Sequence, residues 1–281
     1  MVSVIIPTYQ RAHWVSEAIE SVLSQTYKDY EILVVNDGST DNTTEVLYQF
    51  QARIKIIEQE NKGNSAARNI AIQNSQGQYI AFLDDDDKWM PNKLEKQIAL
   101  LEYNQKLGLI YSDMLFFNDK EVFTEPRSKK HPIHFGRISW MLFLFGNSVP
   151  LSSTVVVRRQ TLDEIGLFDE TLTHCEDYDL WLRISEKWLF FYLDEPLTMY
   201  RLSDTNMTKN RERVLTTLLR LKEKALARNP DYRRLSPNML YQGFYKYYLA
   251  LANFYIDRSE GEKARDVIRR YRQARHLYSS N

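Results

Sequence analysis

Short apolar runs alternate with segments of helical spacing through the first third of the chain, and this restricts the fold more than any other feature. The runs are residues 2–6 (VSVII), 31–35 (EILVV), 53–57 (RIKII) and 78–83 (QYIAFL). Each is too short for a helix and rich in strand-forming side chains. Between the first two, Val15, Ala18, Ile19, Val22 and Leu23 recur at helical spacing over residues 14–25. Asp41 and Asn42 cap a second helix running to about Gln51, and residues 64–74 form a third, ended by Gly77. Strands alternating with helices predict an α/β fold: a mainly parallel sheet covered by helices on both faces. Ligands of such sheets bind beyond the carboxyl ends of the strands. Pro7-Thr8, Asp37 and Asp84 to Asp87 stand at those ends, so three polar loops are expected to converge on one edge.

Further along, residues 91–102 have helical spacing, and 109–117 and 153–158 predict strands joined by a basic loop containing Lys129, Lys130 and His131. Residues 176–184 predict a helix and 190–193 a further strand. From about Asn206 the chain reads as helical, and residues 247–274 form a helical hairpin. A single copy of such a pair cannot make a solenoid. The run at 140–145 (WMLFLF) places Trp140, Phe143 and Phe145 in a core, with a sugar-stacking or lipid-facing patch as the other use. These elements divide the chain into a domain over 1–205 (a nucleotide-binding half, 1–110, and an acceptor half, 111–205) and a helical extension over 206–281.

Charge sharpens that division. The chain carries 37 basic and 37 acidic residues, yet 209–281 holds 17 basic against 7 acidic, leaving 1–208 with 20 against 30. A basic helical extension suits a solvated face, contact with an anionic glycan or membrane surface, or a homodimer interface. Cys175 is the single cysteine, which excludes a disulfide framework and a cysteine-based zinc site and fits a reducing compartment. No apolar run approaches about 18 residues, so no spanning helix is expected. No basic stretch precedes the first apolar run, and Pro7 interrupts it, so no secretory leader is expected either. A cytoplasmic protein follows, at most peripheral at the inner face of the membrane, with no nucleic-acid partner.

Three acidic positions carry the chemistry. Four adjacent carboxylates, Asp84 to Asp87, repel one another unless solvated or bound to a cation, and oxygen-only donors suit Mg²⁺ or Mn²⁺. Asp37 either receives a base or ribose hydrogen bond or caps its own turn. Glu176-Asp177, at a helix start, serves either as an N-cap or as a base positioned apart from the metal ligands. Cys175 has no activating partner in view and is not expected to be a nucleophile. His174 stands beside the acidic pair, on the acceptor side or as a plain loop residue.

Taken together, VSVIIPTYQR, VVNDGSTD, N-x-G-x-x-x-A-R-N (residues 61–69), YIAFLDDDDKWMPNKL, GLFDE and EDYDLWLR closely resemble glycosyltransferase family 2 over about residues 2–205. The resemblance implies the Rossmann-like glycosyltransferase A fold and an inverting transfer of a sugar from a nucleotide diphosphate, commonly of uridine, to a glycan or lipid-linked acceptor in bacterial surface polysaccharide synthesis. By position, Pro7, Thr8, Asp37, Gly63, Arg68, Asp84 and Asp85 belong to the donor site. Asp86, with Asp84, is the Mn²⁺ or Mg²⁺ ligand, Asp177 the catalytic base, and Glu176, His174 and Arg201 lie on the acceptor side. The histidine that many relatives carry after the Tyr-Arg pair is absent, since Leu202-Ser203-Asp204 follows Tyr200-Arg201. Arg201 is then available to supply positive charge to the leaving group. The Q-x-x-R-W motif of processive synthases is missing too. Two other uses of the same residues are a nucleotidyltransferase, disfavoured by the lack of glycine in VSVIIPTYQR, and a non-catalytic nucleotide- or glycan-binding scaffold.

Overall fold

The computed structural model describes residues 1–126, 135–146, 149, 151–203 and 210–279. The loop with Lys129, Lys130 and His131 and the predicted onset of helix at Asn206 lie outside them. The chain divides into two compact units, 1–138 with 148–204, and 139–147 with 205–281.

The first unit opens with β1 (Val2–Thr8), α1 (Val15–Leu23), β2 (Tyr30–Asp37), α2 (Thr43–Tyr48), β3 (Lys55–Gln59), α3 (Asn64–Gln73) and β4 (Tyr79–Phe82). It continues with β5 (Lys88–Trp89), α4 (Lys93–Tyr103), β6 (Leu107–Phe117) and β7 (Val122–Phe123). Helix α5 (Ser139–Phe145) belongs to the second unit; β8 (Val155–Arg158), α6 (Arg159–Ile165), α7 (Glu176–Ser185) and β9 (Leu189–Arg201) return to the first.

The sheet runs β3-β2-β1-β4-β8-β6-β9-β5, with β7 on β6. Strands β1 to β4 are mutually parallel, as the alternation requires, and β6 pairs with β9 in parallel. Strand β8 runs antiparallel to both β4 and β6, which turns β6 and β9 back into the direction of β4. The carboxyl ends of β1, β2, β4, β6 and β9 therefore share one edge. Strand β1 is buried along its whole length, covered by Val15, Ala18, Ile19 and Val22 of α1. Full burial of each such Val or Ile is worth about 1.5–3 kcal/mol.

Two boundaries differ from the sequence expectation. Helix α2 stops at Tyr48, and Arg53 and Ile54 turn back onto the Phe50 carbonyl before β3 begins at Lys55. Phe50 and Ile54 are buried as loop anchors, and so imitate the apolar start of a strand. Strand β9 extends to Arg201, far past residue 193, because β6 offers a continuous partner through register shifts around Asp113. Pro196 and the acidic pair before it hide this in the sequence.

The second unit contains α5, α8 (Arg211–Arg228), α9 (Pro237–Asp257) and α10 (Gly261–Ser279). Helix α5, which the sequence reading leaves in the acceptor half, packs with these helices. Of its aromatic residues only Phe143 is core, stacked on Tyr232 at 4.2 Å; Trp140 and Phe145 are 42% and 56% exposed. An all-apolar run of six residues, 140–145, has no periodicity from which to tell its faces. Lys222 is fully buried among the Phe143, Phe244 and Tyr247 rings, and burial drives its ammonium pKa well down. Among the described residues no helix is long and apolar enough to cross a membrane.

Candidate active site

The parallel strands deliver their polar ends to one edge, and side-chain contacts bind those ends together. Asp37, the last residue of β2, is buried. Its Oδ1 accepts from the Lys62 N–H and the Gln59 amide, and its Oδ2 accepts from the Gly63 N–H at 2.8 Å. It therefore fixes the loop that starts α3 instead of capping its own turn. Gly63 sits there at φ 86°, a backbone conformation that suits glycine. Thr8 is buried at the end of β1, and Pro7 pairs in register with Val35.

The four aspartates have four environments. Asp84 is partly exposed and accepts from Arg68 at 2.7 Å. Asp85 is pushed up to about 7, first by burial and then by the Asp86 carboxylate, with the Thr8 hydroxyl and Arg11 pulling it back. Asp86 is raised to about 6 by burial and by Asp84, while Arg11 stands 4.0 Å from its Oδ2. Asp87 is buried, accepting from the Ser153 hydroxyl at 2.6 Å and the Arg201 N–H at 3.0 Å. It is an anchor inside the turn and not a solvated member of an acidic patch.

Arg68 projects from α3 and is almost completely buried. It donates to Asp84 and, at 3.0 Å, to Glu176 at the start of α7, with its guanidinium over the Phe168 ring. One guanidinium thus joins the acidic loop to the helix start that bears Asp177. Its neighbour Asn69 holds the chain between α6 and α7, exchanging hydrogen bonds with the backbone N–H and C=O of Phe168. Cys175 caps α7 in the left-handed conformation, φ 58°. For a residue with a Cβ this costs about 1–3 kcal/mol and persists where the surroundings impose it. Burial and the two following carboxylates raise the Cys175 thiol to about 12, so it is inert as a nucleophile.

The Asp177 carboxyl is pushed up to about 7, first by burial and then by Glu176, against the Tyr178 N–H and Arg68. A carboxyl of that basicity in the first turn of α7 matches general-base work near neutral pH. The His174 ring contacts Thr173.

Arg201, expected on the acceptor side, ends β9 beside the acidic loop. Its guanidinium is buried and turned to protein acceptors: Glu17, Asp119 and the Asp86 carbonyl. In this geometry the guanidinium ties the acidic loop to α1 and to Asp119. Sequence reasoning also missed Ser153, Arg11, Trp14 and Glu17. The A-R-N triplet signals Asn69, but nothing local marks Ser153, whose importance arises from β8 lying beside β4.

Among the described residues no group of three or more metal-ligating side chains forms. Asp84 and Asp86 instead offer a two-carboxylate oxygen set whose mutual repulsion raises Asp86. That set fits a hard divalent cation whose remaining ligands are phosphate oxygens and water.

Residues 3–166 match the family model described as glycosyl transferase family 2. A glycosyltransferase of Rickettsia felis is 38% identical over 207 residues, 72% of this chain but 33% of that protein, so the chain spans about a third of that relative's length. The UDP-Glc:alpha-D-GlcNAc-diphosphoundecaprenol beta-1,3-glucosyltransferase WfgD of Escherichia coli is 36% identical over 189 residues, 66% of this chain and 69% of that protein. Among solved structures, the mannosyltransferase PcManGT of Pyrobaculum calidifontis, in complex with GDP-Man and Mn²⁺, superposes with a TM-score of 0.66 over 97% of this chain and 75% of that one. At 17% identity that likeness is one of fold.

Proposed function

The chain belongs to glycosyl transferase family 2, and on that premise we propose that it is an inverting glycosyltransferase acting on a nucleotide diphosphate sugar. The observation that carries the reading is the double ion pair of Arg68, which sets Asp84 and Glu176, and with them the acidic loop and Asp177, around one guanidinium. Asp177 takes the proton of the attacking acceptor hydroxyl, and a single displacement from the opposite face inverts the anomeric centre. Asp86 with Asp84 would hold a divalent cation, Mn²⁺ or Mg²⁺, which when bound would supply positive charge to the departing diphosphate. Thr8, Pro7, Asp37 and Gly63 line the base side, and Asp85 the ribose side. His174 and Glu176 stand toward the acceptor.

Asp37 favours a uridine donor. Three donors already engage its carboxylate, two on Oδ1 and one on Oδ2. One acceptor position is left on Oδ2, which suits the single N3–H of uracil; guanine presents two adjacent donors and would need both oxygens. The acceptor is a glycan or lipid-linked glycan of a bacterial surface polysaccharide. The basic second unit, with Trp140 and Phe145 exposed, suits peripheral docking at the inner membrane face.

A thermal-shift screen of nucleotide sugars with and without Mn²⁺ tests the reading. One UDP-sugar should stabilise the wild type in a metal-dependent way and leave Asp86→Ala unmoved. Equal stabilisation of both proteins, or preference for a GDP-sugar, would contradict it.

A further inference from the structure

Asp86 is gripped at both ends, and both grips rest on one indole. The Arg201 Nε donates to the Asp86 carbonyl at 3.0 Å, while the Arg201 backbone N–H holds the Asp87 carboxylate. The other guanidinium arms of Arg201 donate to Glu17 on α1 at 2.9 Å and to Asp119 at 2.8 Å. Its plane lies against Phe117, 4.4 Å from the ring centroid, and against Trp14 at 5.2 Å. The same Trp14 ring carries Arg11 at 4.6 Å, and Arg11 in turn reaches the Asp86 carboxylate. Four parts of the chain distant in sequence, the start of α1, the acidic loop, the end of β6 and the end of β9, thus meet on a stack of two cations and two aromatic rings.

A helix start and a strand end would not need so many contacts merely to close a loop. The Asp86 backbone is fixed by a planar fork with three separate acceptors, a geometry lysine cannot reproduce. The Asp86 carboxylate has its charge partner on the same support. We infer that Arg201 and Trp14 are positioning residues that hold Asp86 for a divalent cation, Arg201 through the carbonyl and Trp14 through Arg11. This deepens the proposed function and rests on its assignment of Asp86 as ligand. Preorganisation of this kind acts on metal affinity more than on the fold, because a ligand left free to turn must be ordered on binding.

The test is Mn²⁺ binding in the presence of UDP, measured by titration calorimetry and by the loss of the free Mn²⁺ electron paramagnetic resonance signal. Arg201→Lys, which keeps the charge and loses the fork, should weaken Mn²⁺ binding at least tenfold. Trp14→Leu should weaken it about three- to tenfold, and Trp14→Phe should restore most of the loss. Glu17→Gln, on the partly exposed face of α1, keeps an acceptor oxygen but removes the charge that one arm of the fork shares with Lys88, and should cost about threefold; it decides the matter if the Arg201 variant does not fold. UDP binding without metal should change less than twofold in all of them. Mn²⁺ affinity within twofold of wild type in folded Arg201→Lys or Glu17→Gln, with only a lower melting temperature, would show a purely structural role and overturn the inference. Failure of the wild type itself to bind Mn²⁺ with UDP would instead remove the proposed function on which it rests.

Discussion

Arg68 pairs with Glu176 at 3.0 Å across 108 residues of sequence, and its other arm holds Asp84 at 2.7 Å. The guanidinium is 3% exposed and Glu176 13%. Removing the cation strands two carboxylates beside the raised Asp177. Arg68→Met should therefore lower unfolding stability by about 3–5 kcal/mol, read from urea melts at pH 8. A loss below about 1 kcal/mol would mean that the pair is not the clamp described.

Asp177→Asn should reduce transfer by about 10²–10⁴-fold, the usual cost of losing a general base. UDP affinity, by titration calorimetry, should stay within twofold, because Asp177 lies on a different element from the donor loops. A variant retaining more than about a tenth of the wild-type rate would remove Asp177 from its role.

The pH dependence follows from the same group. Asp177 must be ionised to act, and its carboxyl titrates at about 7 in the folded protein. The rate constant kcat/KM should be flat above that value and fall about tenfold per pH unit below it. Stability should run the other way. Asp85, Asp86 and Asp177 have folded values of about 7, 6 and 7 against 3.8 unfolded. Between about pH 4 and 7 the native state holds more protons than the unfolded one, so stability falls as pH rises through that window. The metal-free protein should thus melt higher at pH 5.5 than at pH 8, and Mn²⁺ with UDP should raise the melting temperature most at pH 8. A metal-free melting temperature that climbs from pH 5.5 to pH 8 would show that these carboxyls are not held protonated.

Asp86 and Asp87 should separate cleanly. Asp87 is buried against Ser153 and the Arg201 backbone, and an asparagine can keep both contacts, accepting from the N–H and donating to the hydroxyl. Asp87→Asn should leave Mn²⁺ affinity in the presence of UDP within about threefold, while Asp86→Asn should lower it at least tenfold. The reverse order would transfer the ligand role to Asp87.

How much of this was legible in the sequence depends on distance along the chain. The parallel half, β1 to β4, follows from local alternation, and with it the edge where Thr8, Asp37 and Asp84 gather. The GLFDE and EDYDLWLR motifs signalled α7 and its acidic start, but their distance from the acidic loop appears only through Arg68. The surroundings of Arg201 are not legible, because its strand reads as four residues long. Extended to Arg201, β9 ends behind Asp86 and Asp87, where its guanidinium meets Glu17 and Asp119. The distinction among four identical aspartates is set by Ser153 and β8, which no pattern within 84–87 encodes.

The most direct measurement is UDP release from a panel of UDP-sugars, with Mn²⁺ and a set of free and lipid-linked glycan acceptors, by wild type, Asp86→Ala and Asp177→Asn. One donor should give acceptor-stimulated release that requires Mn²⁺ and falls at least a hundredfold in both variants. Release that is independent of Mn²⁺, or that survives in Asp177→Asn above about a tenth of the wild-type rate, would contradict catalysis at this site; no release from any donor by the folded wild type would contradict the transferase itself.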